Sequence, residues 1–120
     1  MAKTRIIRIK YLLRSIGIPP HILGYLYAAE AIDYMASMPK KTLLINEAYR
    51  HVASVYLTSD ICVEASIRNA VRKAVAHKTP LFNETFGSTK SVGNHMFLTT
   101  LRDVFEANES EYIAKRLNYV

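Results

Sequence analysis

Apolar side chains recur at three- and four-residue intervals along nearly the whole chain, and no stretch sustains the every-second-residue alternation of a half-buried strand. "TRIIRIKYLLRSIG" sets Ile9, Leu12, Leu13 and Ile16 at helical spacing and stops at Gly17, a residue that tolerates a left-handed cap. "PPHILGYLYAAEAIDYMASMP" predicts a second helix, entered at Pro19 and Pro20 and closed by Pro39, with Ile22, Leu26, Ala29 and Ile32 as its buried stripe. A third, over about 41–56, turns Leu44, Ala48, Val52 and Val55 to one side. "TSD" interrupts, with Thr58 or Ser59 suited to cap a fourth helix and Asp60 placed where a helix N-terminus favours negative charge. "TPLFNETFGSTKSVG" reads as a short helical turn and a loop. "NHMFLTTLRDVFEA" follows as an amphipathic helix with Phe97, Leu101, Val104 and Phe105 inward. Residues 108–120 form either an extra helix or a frayed tail. The expectation is an all-α chain: one compact domain of about six helices over residues 1–120.

Length supports this, since 120 residues that are 50% apolar suffice for one core and not for two. Charge adds a second feature. The net charge is +6, and it is unevenly placed: residues 1–102 carry fourteen basic and six acidic side chains, whereas residues 103–120 carry two and four. A basic body of this size attracts polyanions such as nucleic acid or an anionic membrane, or simply keeps the protein soluble. Cys62 is the single cysteine, which excludes an internal disulfide and fits a reducing compartment. No apolar run approaches the roughly 20 residues of a membrane-spanning helix. The basic, acid-free first 29 residues resemble an organelle-targeting segment, but the sequence continues without a cleavage-like break.

The fourth helix, about 59–77, joins both features. At 100° per residue, Val63, Ile67, Ala70, Val71 and Ala74 share about a third of the circumference. The opposite arc holds Ile61, Cys62, Ala65, Arg68, Asn69, Arg72 and Lys73, with Glu64 on the flank. A solvated face ordinarily mixes Glu with Lys at i,i+4; this one has no acid between Ala65 and Lys78. Small residues there permit close approach, while Arg and Asn carry the forked donors that suit base edges. A helix ending three or four residues upstream, joined by a tight polar turn, completes the pattern of a helix-turn-helix, in which the first helix braces and the second enters the major groove. Leu57 stands where a turn glycine is common.

Three runs carry a resemblance to a known family. "IGIPPHILGYLY" with the following "EAI", then "ASVYLTSDICVEASIRNAV", then "FGSTKSVGNHMFL" are collinear. From about Ile7 to Val104 they resemble the C-terminal effector domains of the sporulation master response regulators (stage 0 sporulation protein A). The resemblance implies a six-helix domain that binds short promoter boxes, often in tandem, and contacts RNA polymerase in a bacterial cytoplasm. It maps the family's recognition helix onto Thr58 to His77 and implies that Glu64 and Arg68 face bases or backbone. Asn69 replaces a histidine of the family pattern. Ala65 replaces an arginine that reads guanine, a contact worth roughly 1–3 kcal/mol of discrimination, so an altered or less stringent box is expected. No receiver domain precedes the match, which leaves either an excised effector domain or a free-standing relative.

Glu64, Ala65, Arg68 and Asn69 are therefore the candidate base readers. Lys40, Lys41, Arg50, His51, Ser59, Ser66, Arg72, Lys73 and Lys90 are candidate backbone contacts, which position without specifying. Plain exposure to solvent is the competing reading for each. Cys62, near a helix N-terminus, is either a redox-sensitive thiol or a small surface residue. The four histidines lie far apart without ligand spacing, so no metal is expected, and no cofactor motif or nucleophile–base pairing suggests an enzyme. Expected partners are double-stranded DNA, an RNA polymerase sigma subunit, and a second copy as homodimer or tandem neighbour. Two alternatives remain: an interaction module that binds a sigma subunit or a full-length regulator without specific DNA binding, and a basic helix at 3–16 lying on a membrane.

Overall fold

The computed structural model describes residues 2–38, 45–88 and 91–118, with side chains of residues 4–38, 45–88 and 91–117. Six helices follow one another: α1 (Ala2–Ser15), α2 (Leu23–Ser37), α3 (Ile45–Tyr56), α4 (Asp60–His77), α5 (Pro80–Phe86) and α6 (Asn94–Asn118). No strand occurs among the described residues. The all-helical, single-core expectation is met.

Helix α2 is the hub, packing on α1, α3, α4 and α6. Its burial explains why a single stripe was too narrow a description. Gly24, Tyr25, Tyr27, Ala28, Ala29, Ala31, Ile32 and Met35 are all buried, whereas the expected Ile22 and Leu26 only pack half-buried against the core. A helix with neighbours on most sides is apolar nearly all round and loses its amphipathic signature. It also begins later than expected, at Leu23, so Pro19 and Pro20 lie in the preceding turn.

The ends of the helices follow local chemistry. Gly17 takes φ 106°, and the Ile18 amide donates to the Leu13 carbonyl at 3.1 Å, which closes α1 with a left-handed cap. α3 ends in the same way at a residue with a side chain: Leu57 has φ 55°, and the Thr58 amide donates to the Ala53 carbonyl at 2.9 Å. Ser59 then caps α4, its hydroxyl accepting from the Cys62 amide at 3.1 Å. Thr79 does the same for α5 toward Phe82 at 3.2 Å.

Some side chains depart from the periodic reading. On α3 the buried set is Ala48, Tyr49, Val52 and Ala53, and Val55 is exposed. Leu44, and the expected start of this helix at 41, lie outside the described residues. On α6, Phe97, Leu98, Leu101 and Phe105 are buried while Val104 is half-buried. Among the described residues of the C-terminal segment, α6 runs unbroken to Asn118, with 111–117 exposed, so no separate helix begins there.

Leu57 is 92% exposed, so its side chain contributes no burial to offset a left-handed backbone that costs a non-glycine residue roughly 1–2 kcal/mol. Leu57→Gly should therefore stabilise the protein by about 0.5–1 kcal/mol after the added flexibility of the unfolded chain is counted. Urea denaturation checks this, with a higher midpoint expected at unchanged slope.

Candidate nucleic-acid interface

The face that the sequence singles out lies on α4, and the inner half of that helix is the part of the reading that holds without change. Val63, Ile67, Ala70, Val71 and Ala74 are all buried. On the outer side, Ile61, Cys62, Ala65, Arg68, Asn69, Arg72 and Lys73 are exposed, and Glu64 and Ser66 are half-buried.

Three contacts fix the height and rotation of this helix. In the middle, Gly24 of α2 sits against the backbone of α4. A Cβ at position 24 would stand 2.2 Å from the Ser66 carbonyl oxygen and 2.7 Å from the Ala70 Cβ. Toward the N-terminal half, the Asn94 side-chain amide donates to the Glu64 carbonyl at 3.1 Å and to the Tyr49 hydroxyl at 3.2 Å, tying α6, α4 and α3 together. At the C-terminal end, His77 Nδ1 lies 2.6 Å from the Gly17 carbonyl, which can only accept, so the ring nitrogen donates. The Thr79 hydroxyl donates to the Ser15 carbonyl at 2.8 Å. Burial raises the Tyr49 hydroxyl above its ordinary pKa despite the hydrogen bond from Asn94.

The candidate base readers are together on one side. Glu64 and Arg68 form an i,i+4 ion pair, with both side chains about half exposed. Exposure of that degree leaves the pair worth little to stability; its effect is to orient the guanidinium. A cleft of about 410 Å³ runs beside it, lined by Tyr49, Glu64, Arg68, Arg72 and the 91–94 segment. A second depression of about 410 Å³, formed by Ile22, Leu23 and Gly24 with Ala65, Ser66 and Asn69, flanks the other side.

Backbone candidates divide. Arg72 and Lys73 share the outer face of α4, and Arg50 is exposed on α3. Ser66 rests on α2 opposite Gly24, and Ser59 is engaged as the cap. His51 turns the other way: its Nε2 is 2.9 Å from Glu30 Oε2, and its ring stacks on Tyr34 with centroids 4.4 Å apart. Lys40, Lys41 and Lys90 lie outside the described residues.

Cys62 is exposed. Its thiol is held below the ordinary cysteine pKa, chiefly by hydrogen bonds to the Ser59 and Thr58 hydroxyls. Among the described residues no group of three or more His, Cys, Asp or Glu side chains is placed to hold a metal ion.

Two basic residues of α1 are paired within the fold. Arg5 pairs with Asp33 at 2.6 Å and Arg8 with Glu109, while Ile9, Leu13 and Ile16 are completely buried. The apolar stripe of α1 therefore faces the core and is not available to lie on a lipid surface. No helix among the described residues is long and apolar enough to cross a membrane.

An all-helical domain that buries one side of α4 and turns an acid-poor, basic side outward has the form of a DNA-binding regulatory domain. Comparison with known families gives the narrower assignment: the family described as "Sporulation initiation factor Spo0A C terminal" matches residues 9–114. The chain belongs to that family, which is the DNA-binding part of a transcriptional regulator of sporulation.

Sequence periodicity missed the residues that seat α4. Gly24, Asn94, His77 and Thr79 act through one or two particular contacts each rather than through a repeating pattern. The Glu64–Arg68 pair was missed too, because the acid-free window was counted from Ala65, one residue past Glu64. Gly24→Ala should cost about 2–3 kcal/mol, since the added methyl meets a backbone oxygen that cannot swing away. Thermal unfolding checks it, with a fall in Tm of roughly 10 °C expected.

Proposed function

We propose that the protein is a sequence-specific regulator of transcription that places α4 in the major groove as the second helix of a helix-turn-helix, with α3 as the bracing helix. The observation that carries this reading is the outer face of α4. It bears Arg68, Asn69, Arg72 and Lys73 with no acid after Glu64, on a helix held at its middle and toward both ends. Preorganisation of this kind favours specificity, because side chains on a rigid element reach base edges at fixed positions.

The roles follow from geometry. Arg68, oriented by Glu64, offers two parallel donors suited to guanine, and Asn69 offers the donor and acceptor that match adenine. Glu64 can accept from a cytosine amino group once Arg68 has turned to a base. Arg72 and Lys73, with Arg50 from α3, neutralise phosphates and release counterions. The Ser59 hydroxyl, whose oxygen accepts from the Cys62 amide, can donate to phosphate when its proton turns away from the Cys62 thiol. Ala65 leaves room for close approach without a charged contact of its own. The setting is a bacterial cytoplasm, with promoter boxes as the target, tandem or paired copies on DNA, a sigma subunit as the protein partner, and no catalytic step.

Exposed Leu57 and Ile61 beside this face also support a second reading, a module that binds a sigma subunit or a full-length regulator through protein contacts. Selection from a random-oligonucleotide pool at physiological salt separates the two: a converged short motif supports base reading, and sequence-indifferent, strongly salt-dependent binding supports the interaction module.

Within the first reading, Arg68→Ala should weaken binding most at one or two base positions, by about 1–3 kcal/mol. Lys73→Ala should weaken binding evenly across sequences and reduce the salt slope by about one. Titrations of a small panel of duplexes at several salt concentrations measure both; equal losses on every sequence for both variants would contradict base reading by Arg68.

A further inference from the structure

The part of α4 nearest the turn carries no basic side chain. Ile61 is 80% exposed, Cys62 and Ala65 are exposed, and Leu57 precedes them in the turn at 92% exposure. The acid Asp60 lies beside them. In a helix-turn-helix the N-terminal residues of the second helix are those that meet base edges. This protein therefore brings an apolar ridge to the position where a charged reader is usual, and sets its donors, Arg68 and Asn69, one to two turns further along.

A branched aliphatic side chain that is four-fifths exposed gains nothing from water. Ile61 is not among the residues buried in the core or packed against it, and the buried set of α4 begins at Val63, on the other side. The major-groove edges of the base pairs display one apolar group, the 5-methyl of thymine, and aliphatic side chains recognise it by contact. Ala65, one turn on from Ile61, continues the same ridge with a methyl small enough to let the helix backbone approach.

Building on the proposed function, we infer that Ile61 and Ala65 read thymine methyl groups, so that the target box carries thymine at the positions facing the N-terminal half of α4. The specificity of this chain is then divided along the helix. Its first turns select thymine by apolar contact, and Arg68 and Asn69 select guanine or adenine by hydrogen bonding. Ile61 and Asn69 are eight residues apart, about 12 Å along the helix axis. That span is about three to four base pairs at 3.4 Å each, so the two kinds of recognition fall within one short box.

The test uses the duplex selected from the random pool. Each thymine in turn is replaced by deoxyuridine, which removes the methyl and leaves every hydrogen-bonding group in place. Binding is followed by fluorescence anisotropy. One or two replacements should weaken binding by about fourfold each, the loss that corresponds to one buried methyl-sized group. With Ile61→Ser, whose site is exposed and so does not threaten folding, the deoxyuridine and thymine duplexes should bind alike at the position that Ile61 reads. A converged motif that tolerates deoxyuridine at every thymine, or that holds no thymine, overturns this inference alone. The same holds if Ile61→Ser keeps the full penalty, as a residue serving a protein contact would. Failure of the pool to converge overturns both this inference and the reading beneath it.

Discussion

The contact between Gly24 and the backbone of α4 is the constraint on which the arrangement depends. With a Cβ position only 2.2 Å from the Ser66 carbonyl oxygen, α2 meets the backbone of α4 with no room for a side chain between them. Helix surfaces normally keep axes 8–10 Å apart because ridges of side chains intervene. Removing one ridge draws α4 onto the hub helix and turns its opposite arc fully outward. Asn94 and the His77–Gly17 pair then set rotation and tilt from either end. Seating a helix by backbone contacts leaves its outer side chains free for another task, because none of them is needed to hold it.

That freedom matters because the positive charge of the chain is not evenly available. Arg5, Arg8 and Arg102 pair with Asp33, Glu109 and Asp103. On α4, Arg72 and Lys73 face outward beyond the last acid of that helix, and only Arg68 has a carboxylate partner, Glu64, on its own helix. Carboxylates of α2 and α6 neutralise Arg5, Arg8 and Arg102 elsewhere, while Arg72 and Lys73 stay exposed on the outer face of α4. On the proposed reading, long-range attraction to a phosphate backbone and close-range reading by Arg68 and Asn69 would act from one surface.

How far the sequence could be read varied with how repetitive each feature is. The inner face of α4 was fully legible, because five apolar residues on one arc form a pattern that nothing else explains. α2 was legible as a helix but not as the hub, since burial on most sides erases the contrast between faces. The Gly17 cap was anticipated, but the left-handed Leu57 was not: it was read only as standing where a turn glycine is common, and a leucine carries no signal for that conformation. His51 was placed among possible phosphate contacts on charge and helix position, and the structure gives it to Glu30 and Tyr34, partners 17 or more residues away in sequence. Long-range pairings of this kind have no local periodicity to announce them. The family resemblance pointed to α4 as the candidate recognition helix, and the structure shows what seats it.

The account stands on which surface meets DNA. An amide chemical-shift titration of the protein with the selected duplex tests that most directly. Perturbations should concentrate at Ser59 to Lys73 with a smaller set on α3 around Arg50, while the exposed end of α6, from Glu111 to Leu117, stays unchanged. Perturbations centred on α6 or α1, with the outer face of α4 silent, would contradict it.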